Sequence, residues 1–263
     1  MTGALLFDCD GVLAETERDG HLVAFNSLFG EVGLDLRWSA QEYAGLLRIA
    51  GGKERLLSLF ADEAWVSRHG LPGDRRGQER LVALWHRRKT EIFLELVGSG
   101  ALPARPGVAR LAVEAREAGW DVAVASTAAT ASVRAIAHHV FPPALAEVVR
   151  VFAGDVVPAK KPAPDIYTHA LAELGHSPAR ACIIEDSRQG LRAAHAARGA
   201  VIVTPSEFNL GDDFPEAALV VDCLGDEARP LRVLASRLAR PPGSMVTVET
   251  CETVMAVDRG TKQ

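Results

Sequence analysis

The chain has 263 residues, 48% hydrophobic and 24% charged, with a mean hydropathy of +0.07. This length and composition can fill one α/β core with a modest insertion, and they exclude a largely disordered chain. The formal charge of -5, from 29 Lys plus Arg against 34 Asp plus Glu, argues against nucleic acid and anionic membranes as general partners. A local positive pocket or a bound cation still admits a small anionic substrate.

The elements come in two styles. Residues 4–8 (ALLFD) read as a short buried strand whose apolar run ends in acidic residues. Residues 121–126 (DVAVAS), 181–186 (ACIIED) and 200–204 (AVIVT) repeat the pattern, with helix-compatible runs at about 107–118, 129–139, 164–174 and 188–198 between them. Short apolar strands alternating with helices predict a parallel sheet covered on both faces. Residues 16–100 differ. They carry apolar residues at helical spacing (Leu22, Phe25, Leu28, Phe29, then Leu56 through Leu96) and no buried strand, which predicts a helical cap inserted after the first strand. Pro103, Pro106 and Gly107 mark the return to the core, with a helix starting near Pro106. The expected division is 1–15 with 101–240 as core and 16–100 as cap. The tail, 241–263, is of uncertain order, and its stretch 246–257 (VTVETCETVMAV) reads as an edge strand or as disordered or foreign sequence.

Four cysteines, Cys9, Cys182, Cys223 and Cys251, form no CxxC pair and no zinc set, so buried free thiols in a reducing compartment are expected. No secretory leader and no membrane-length apolar run is visible. The expected location is cytoplasmic, or a plastid if a transit peptide has been removed.

Ligands of parallel α/β sheets gather beyond the carboxyl ends of the strands. There the first strand delivers Asp8-Cys9-Asp10-Gly11, two close carboxylates whose repulsion a divalent cation would relieve, with Gly11 permitting the turn. The same tetrapeptide also suits an ordinary loop. Ser126 and Thr127 can hold phosphate or simply cap the next helix. Lys161, in Lys160-Lys161-Pro162, can neutralise an anion or lie exposed beside a proline turn. Glu185-Asp186 can complete a metal site from another strand or cap the helix near Ser187. Together the four ends make a phosphate-and-metal site the economical reading. His138-His139 read as helix-end or surface residues, and Arg192 and His195 as packing or solvent-facing ones.

In this order, FDCDGVLAE (7–15), VAVAS (122–126), KKPAPDIY (160–167) and IIEDSRQG (183–190) resemble the motifs of the haloacid dehalogenase superfamily. AETERDGHLVAFN (14–26) and AGGKERLL (50–57) look more specifically like CbbY-type phosphatases, which sit near the β-phosphoglucomutases. The resemblance implies a Rossmann-like α/β core with an inserted helical cap, and a Mg²⁺-dependent phosphatase for sugar phosphates, xylulose 1,5-bisphosphate foremost. It implies Asp8 as the nucleophile that becomes an aspartyl-phosphate and Asp10 as general acid/base. Mg²⁺ would be held by Asp8, the Asp10 carbonyl and Asp186, with Glu185 direct or through water. Ser126, Thr127 and Lys161 would grip the phosphoryl group. Glu17, His21, Lys53 and Arg55 would read the substrate from a cap that closes over the site. A small-molecule sugar phosphate is the expected partner, and the chain is expected to act as a monomer. A phosphomutase using the same aspartate and a noncatalytic sugar-phosphate binder are the alternatives. Pro205-Ser206-Glu207-Phe208 departs from the glycine- or tyrosine-rich turn of the pattern.

Overall fold

The structure is a computed structural model that describes residues 2–49, 51–154 and 156–261. In chain order, β1 (Ala4–Phe7) is followed by a wide helical turn, Thr16–Leu22, and by α1 (Val23–Glu31), α2 (Ala40–Leu46), α3 (Gly52–Leu57), α4 (Glu63–Arg68) and α5 (Arg75–Gly98). Then come α6 (Val108–Glu117), β2 (Asp121–Ala125), α7 (Thr130–Val140), α8 (Pro143–Ala146), β3 (Arg150–Phe152), α9 (Asp165–Leu174) and β4 (Ala181–Glu185). The chain ends with α10 (Arg188–Ala196), β5 (Ala200–Val203), β6 (Leu219–Val221), β7 (Val233–Ser236) and α11 (Val248–Thr261). Two compact units result: Met1–Thr16 with Leu102–Gln263, and Glu17–Ala101.

In the first unit the strands form one seven-stranded sheet in the order β3-β2-β1-β4-β5-β6-β7. All neighbours are parallel except β6 and β7. The strand residues of β1, β4 and β5 are entirely buried, as expected of apolar strands covered on both faces. After β1 the chain moves outward through β2 and β3, then returns to lay β4 against the other side of β1. The order therefore reverses between β1 and β4, and a cleft opens at such a reversal beyond the carboxyl ends. The register sets Phe7 opposite Ile184, so residue 8 and the pair 185–186 leave adjacent strands at the same height.

The C-terminal segment is not an edge strand. Residues 248–261 form α11, which packs on β4 and β5. Cys251, Val254, Met255 and Asp258 are buried, at the i, i+3, i+4, i+7 spacing of one helix face. The strand reading followed the β-branched residues. The burial periodicity decides the matter, because a helix can cover the apolar sheet face and an exposed strand cannot. The helix after the return also starts later than Pro106, at Val108. Gly107 lies at φ +84°, outside helical space, and a Cβ there would meet the Gly225 carbonyl at 2.3 Å.

The second unit is helical throughout its described secondary structure. Its core gathers aromatic rings: Phe29 and Trp38 meet edge-on at 4.8 Å, and Phe25 and Trp38 at 5.1 Å. Ser39 and Glu42 form a capping box that starts α2. Among the described residues, no helix is long and apolar enough to cross a membrane.

Candidate active site

Asp8 leaves β1 with its backbone N–H still donating to Ile184 O at 2.9 Å, which ties the first residue past the strand to β4. The chain then turns: Gly11 N donates to Ala14 O, and Leu13 N to Cys9 O. Gly11 has φ +78°, and a Cβ on it would fall 2.2 Å from Asp186 Oδ2. Only glycine gives both the left-handed turn and the clearance for that carboxylate. From β4, Glu185 points inward, fully buried, into space left by Gly190, where any Cβ would overlap its carboxylate. Asp186 follows, also buried.

Carboxylate oxygens of Asp8, Glu185 and Asp186 lie within 4.8 Å of one another. Lys161 reaches them from the segment before α9, its Nζ donating to Asp8 Oδ1 at 2.6 Å and Glu185 Oε1 at 2.7 Å. The Tyr167 hydroxyl donates to the same Glu185 oxygen, and its ring lies 4.8 Å from the Lys161 ammonium. Glu185 Oε2 accepts from Asp186 N at 3.1 Å. Both Glu185 oxygens are thus engaged by the protein, which makes Glu185 the anchor of Lys161.

Three buried carboxylates face one ammonium, and the electrostatics register the surplus. Burial pushes Asp8 up to about 7, with Lys161 opposing and Glu185 and Asp10 adding to the rise. Burial, then Glu185 and Asp8, raise Asp186 well above the usual carboxylate range, while Ser206 and Arg105 pull it down. Burial works against the Lys161 ammonium, but Asp8 and Glu185 outweigh it and hold it charged. Burial, with Asp10 and Asp8, keeps the Cys9 thiol protonated, which suits a core residue. A cluster of hard oxygen donors carrying excess negative charge fits Mg²⁺, with Asp8 and Asp186 as the side chains best placed to hold it.

Asp10 lies on the turn, its Oδ1 accepting from Thr16 Oγ1 at 2.6 Å. Ser126 follows β2 and is buried; its N–H donates to Phe152 O and its hydroxyl accepts from Ala128 N at 3.1 Å. Neither Ser126 nor Thr127 caps α7, whose N-cap is Ala129 without a side-chain bond. Likewise, the cap of α10 is Ser187, accepting from Gly190 N, so the acidic pair is not spent on capping. His138, His139, Arg192 and His195 are exposed.

Motif reading missed three residues in this unit. Arg105 is buried and donates to four backbone carbonyls: Gly11 O, Thr204 O at 2.9 Å, Pro205 O at 3.0 Å and Asp222 O at 2.9 Å. Its Nε lies 3.4 Å from Glu15. One side chain thereby fastens the loops after β1, β5 and β6. Asn209 Nδ2 donates to Asp186 Oδ2 at 2.9 Å. Tyr167 stood inside a recognised motif without a role of its own.

In the helical unit, Glu17 Oε2 accepts from Tyr43 OH at 2.6 Å, and Arg55 Nη1 donates to the same hydroxyl at 2.9 Å. Arg55 is buried and also donates to Ile49 O. His21 Nδ1 lies 2.7 Å from the buried Lys89 ammonium, and its ring is 4.2 Å from Phe93. Lys53 is exposed on α3. Glu17 and Arg55 therefore share a cluster with Tyr43, while His21 pairs with Lys89.

Residues 2–198 match the haloacid dehalogenase-like hydrolase family. The chain is 44% identical over 226 residues to the CBBY-like protein of Arabidopsis thaliana, covering 86% of this chain and 70% of that protein. It is 43% identical over 232 residues to the plasmid-encoded CbbY of Cupriavidus necator, covering 87% and 88%. Among solved structures, CbbY from Rhodobacter sphaeroides in complex with xylulose 1,5-bisphosphate superposes with a TM-score of 0.71 at 39% identity, over 87% of this chain and 98% of that one. The chain belongs to the haloacid dehalogenase-like hydrolases, among their CbbY-type members, and is a Mg²⁺-dependent phosphoric monoester hydrolase.

Proposed function

We propose that the protein hydrolyses a sugar bisphosphate through an aspartyl-phosphate on Asp8, with xylulose 1,5-bisphosphate as the preferred substrate. The observation that carries the reading is the buried Asp8 carboxylate, held by Lys161 beside two further acids at the sheet's reversal point. The ligand of the Rhodobacter structure supports the choice of sugar.

Asp8 Oδ1 is committed to Lys161, which leaves Oδ2 for in-line attack or for the cation. Asp8 and Asp186 would hold Mg²⁺, which would supply counter-charge to the phosphoryl oxygens. Lys161 adds a second positive group to the same oxygens, and the Ser126 hydroxyl and the amides after β2 supply donors from the neighbouring strand. Asp10 protonates the leaving sugar oxygen and then takes a proton from the water that attacks the phosphorus, releasing phosphate and Asp8. The Thr16 hydroxyl, donating to Asp10 Oδ1 at 2.6 Å, fixes that carboxyl on the turn.

We assign sugar discrimination to the helical unit: Glu17 with Tyr43 for hydroxyls, Lys53 and Arg55 for the second phosphate, and His21, held beside Lys89, as a further substrate-reading residue. We also infer that the protein acts as a monomer in the cytoplasm. The four buried free thiols agree with a reducing compartment.

The test is phosphate release from a panel of sugar mono- and bisphosphates with and without Mg²⁺. The expected result is Mg²⁺-dependent release, fastest from xylulose 1,5-bisphosphate. Transfer of phosphate between sugar positions without net release would replace hydrolysis by mutase chemistry. Binding without turnover would reduce the protein to a sensor.

A further inference from the structure

The segment after β5 (Thr204 to Asn209, TPSEFN) departs from the family's expected turn, yet it wraps the second acidic residue of the site. Thr204 N donates to Glu185 O at 2.7 Å, so the segment starts hydrogen-bonded to β4. Arg105 fixes its root through the Thr204 and Pro205 carbonyls. Ser206 is buried, and a Cβ on Gly11 would come within 2.9 Å of the Ser206 Cβ, so no slack exists between the two loops. The Asn209 amide nitrogen then donates to Asp186 Oδ2 at 2.9 Å and to Ser206 Oγ at 2.8 Å. Two donor hydrogens meet two acceptors, and the amide is held from both sides.

We propose that Asn209, oriented by Ser206, is a positioning residue for the metal site: it occupies one oxygen of Asp186 and aims the other at Mg²⁺. A carboxylate offers two oxygens and can chelate, swing or bind through either. Mg²⁺ demands near-octahedral geometry and is served by a single, fixed oxygen from each carboxylate. A neutral amide donor fixes the carboxylate without adding charge, so the cluster keeps the excess negative charge that attracts a cation. A lysine or arginine at the same place would discharge it. Outer groups that orient metal-binding carboxylates are worth about 10–100-fold in metal affinity when removed.

This inference rests on the Mg²⁺-dependent reading of the site. Mg²⁺ titration by calorimetry, with unfolding midpoints measured in EDTA, separates the two. Asn209→Leu keeps approximate size and removes the donor, and Asn209→Ala removes it without adding apolar bulk. The expected result is a Kd for Mg²⁺ raised about 10–100-fold in both variants, with EDTA midpoints lowered only by the loss of the one donor to the buried Asp186 oxygen and unfolding still cooperative. Ser206→Ala keeps the amide but removes both its orienting partner and the Ser206 hydroxyl's own hydrogen bond to Asp186, and is expected to raise the Kd as well. If both Asn209 variants bind Mg²⁺ like the wild type, the positioning role is overturned while the metal site stands. If the wild type itself shows no Mg²⁺ binding, the underlying reading falls with it.

Discussion

Replacing Lys161 by Met keeps an unbranched side chain and removes its charge. The ammonium stands 2.6 Å from Asp8 Oδ1 and 2.7 Å from Glu185 Oε1, and none of the three side chains is more than 10% exposed. Removing one partner of a buried pair costs ~3–5 kcal/mol, because a charge is left uncompensated. Two features of this site point to the lower end. Asp8, pushed up to about 7, can accept a proton near neutrality. Glu185 keeps the Tyr167 hydroxyl and the Asp186 N–H. A loss of ~3 kcal/mol corresponds to a midpoint lowered by roughly 6–12 °C in a chain of this size. Mg²⁺ restores part of the missing positive charge, so the deficit is expected to be largest in EDTA and smaller with the ion. Phosphate release is expected to fall by about 10²–10³-fold, the usual cost of losing one preorganised stabiliser of transition-state charge. Thermal unfolding of wild type and K161M with EDTA and with Mg²⁺, alongside turnover, measures both. An EDTA midpoint equal to wild type together with turnover within threefold would refute the assignment of Lys161 as the counter-charge of this cluster.

Asp8→Asn is expected to abolish turnover, by about 10³-fold or more, and to stabilise the metal-free protein at pH 8, since it removes a carboxylate that burial and Glu185 disfavour; turnover and EDTA midpoints check both. The two units respond to pH with opposite signs. Asp8 is raised from 3.8 to about 7, so the folded state holds a proton the unfolded state has lost, and the metal-free core loses stability as pH rises through that window. The Mg²⁺-induced rise in midpoint grows over the same range. In the helical unit, burial with Lys89 and Arg55 lowers His21, and burial with Lys89 and Lys53 lowers His86 from 6.5 to about 4. Here the unfolded state binds the extra protons, so stability is full above 6.5 and falls as pH drops toward 4; hydrogen exchange resolved by unit separates the two trends. Arg105→Lys offers three donors where four carbonyls are now met, and is expected to cost ~1–3 kcal/mol in urea unfolding, one unsatisfied buried acceptor's worth. Lys53→Ala is expected to raise KM for a bisphosphate several-fold and to leave KM for a monophosphate little changed, with stability unaffected because the residue is exposed.

The chemistry-bearing strand ends were legible because apolar runs stop abruptly at acids and hydroxyls, as in ALLF-Asp8, VAVA-Ser126 and CII-Glu185-Asp186. Burial on both faces makes such strands nearly pure hydrocarbon, so the first polar residue marks the strand's exit. Lys161 was legible only as part of a motif, since one lysine before a proline has no local signature. Arg105 and Asn209 were not legible. Their partners are backbone carbonyls and one carboxylate far along the chain, and spacing carries no trace of such bonds. Tyr43 and Lys89 were hidden for a related reason: each reads as ordinary helix sequence, and only packing brings them to Glu17 and His21. β3 is three residues long at the sheet's edge, and β7 is half-exposed, so neither shows the apolar run that announced the central strands. In α11 the β-branched residues masked a helical face that Cys251, Val254, Met255 and Asp258 spell out.

The covalent step can be caught directly. With substrate carrying radiolabelled phosphate, an acid quench during turnover followed by peptide mapping is expected to place the label on the peptide containing Asp8, at a level that decays on chase with unlabelled substrate. Turnover with no labelled protein, or label on any other residue, would contradict an aspartyl-phosphate at Asp8.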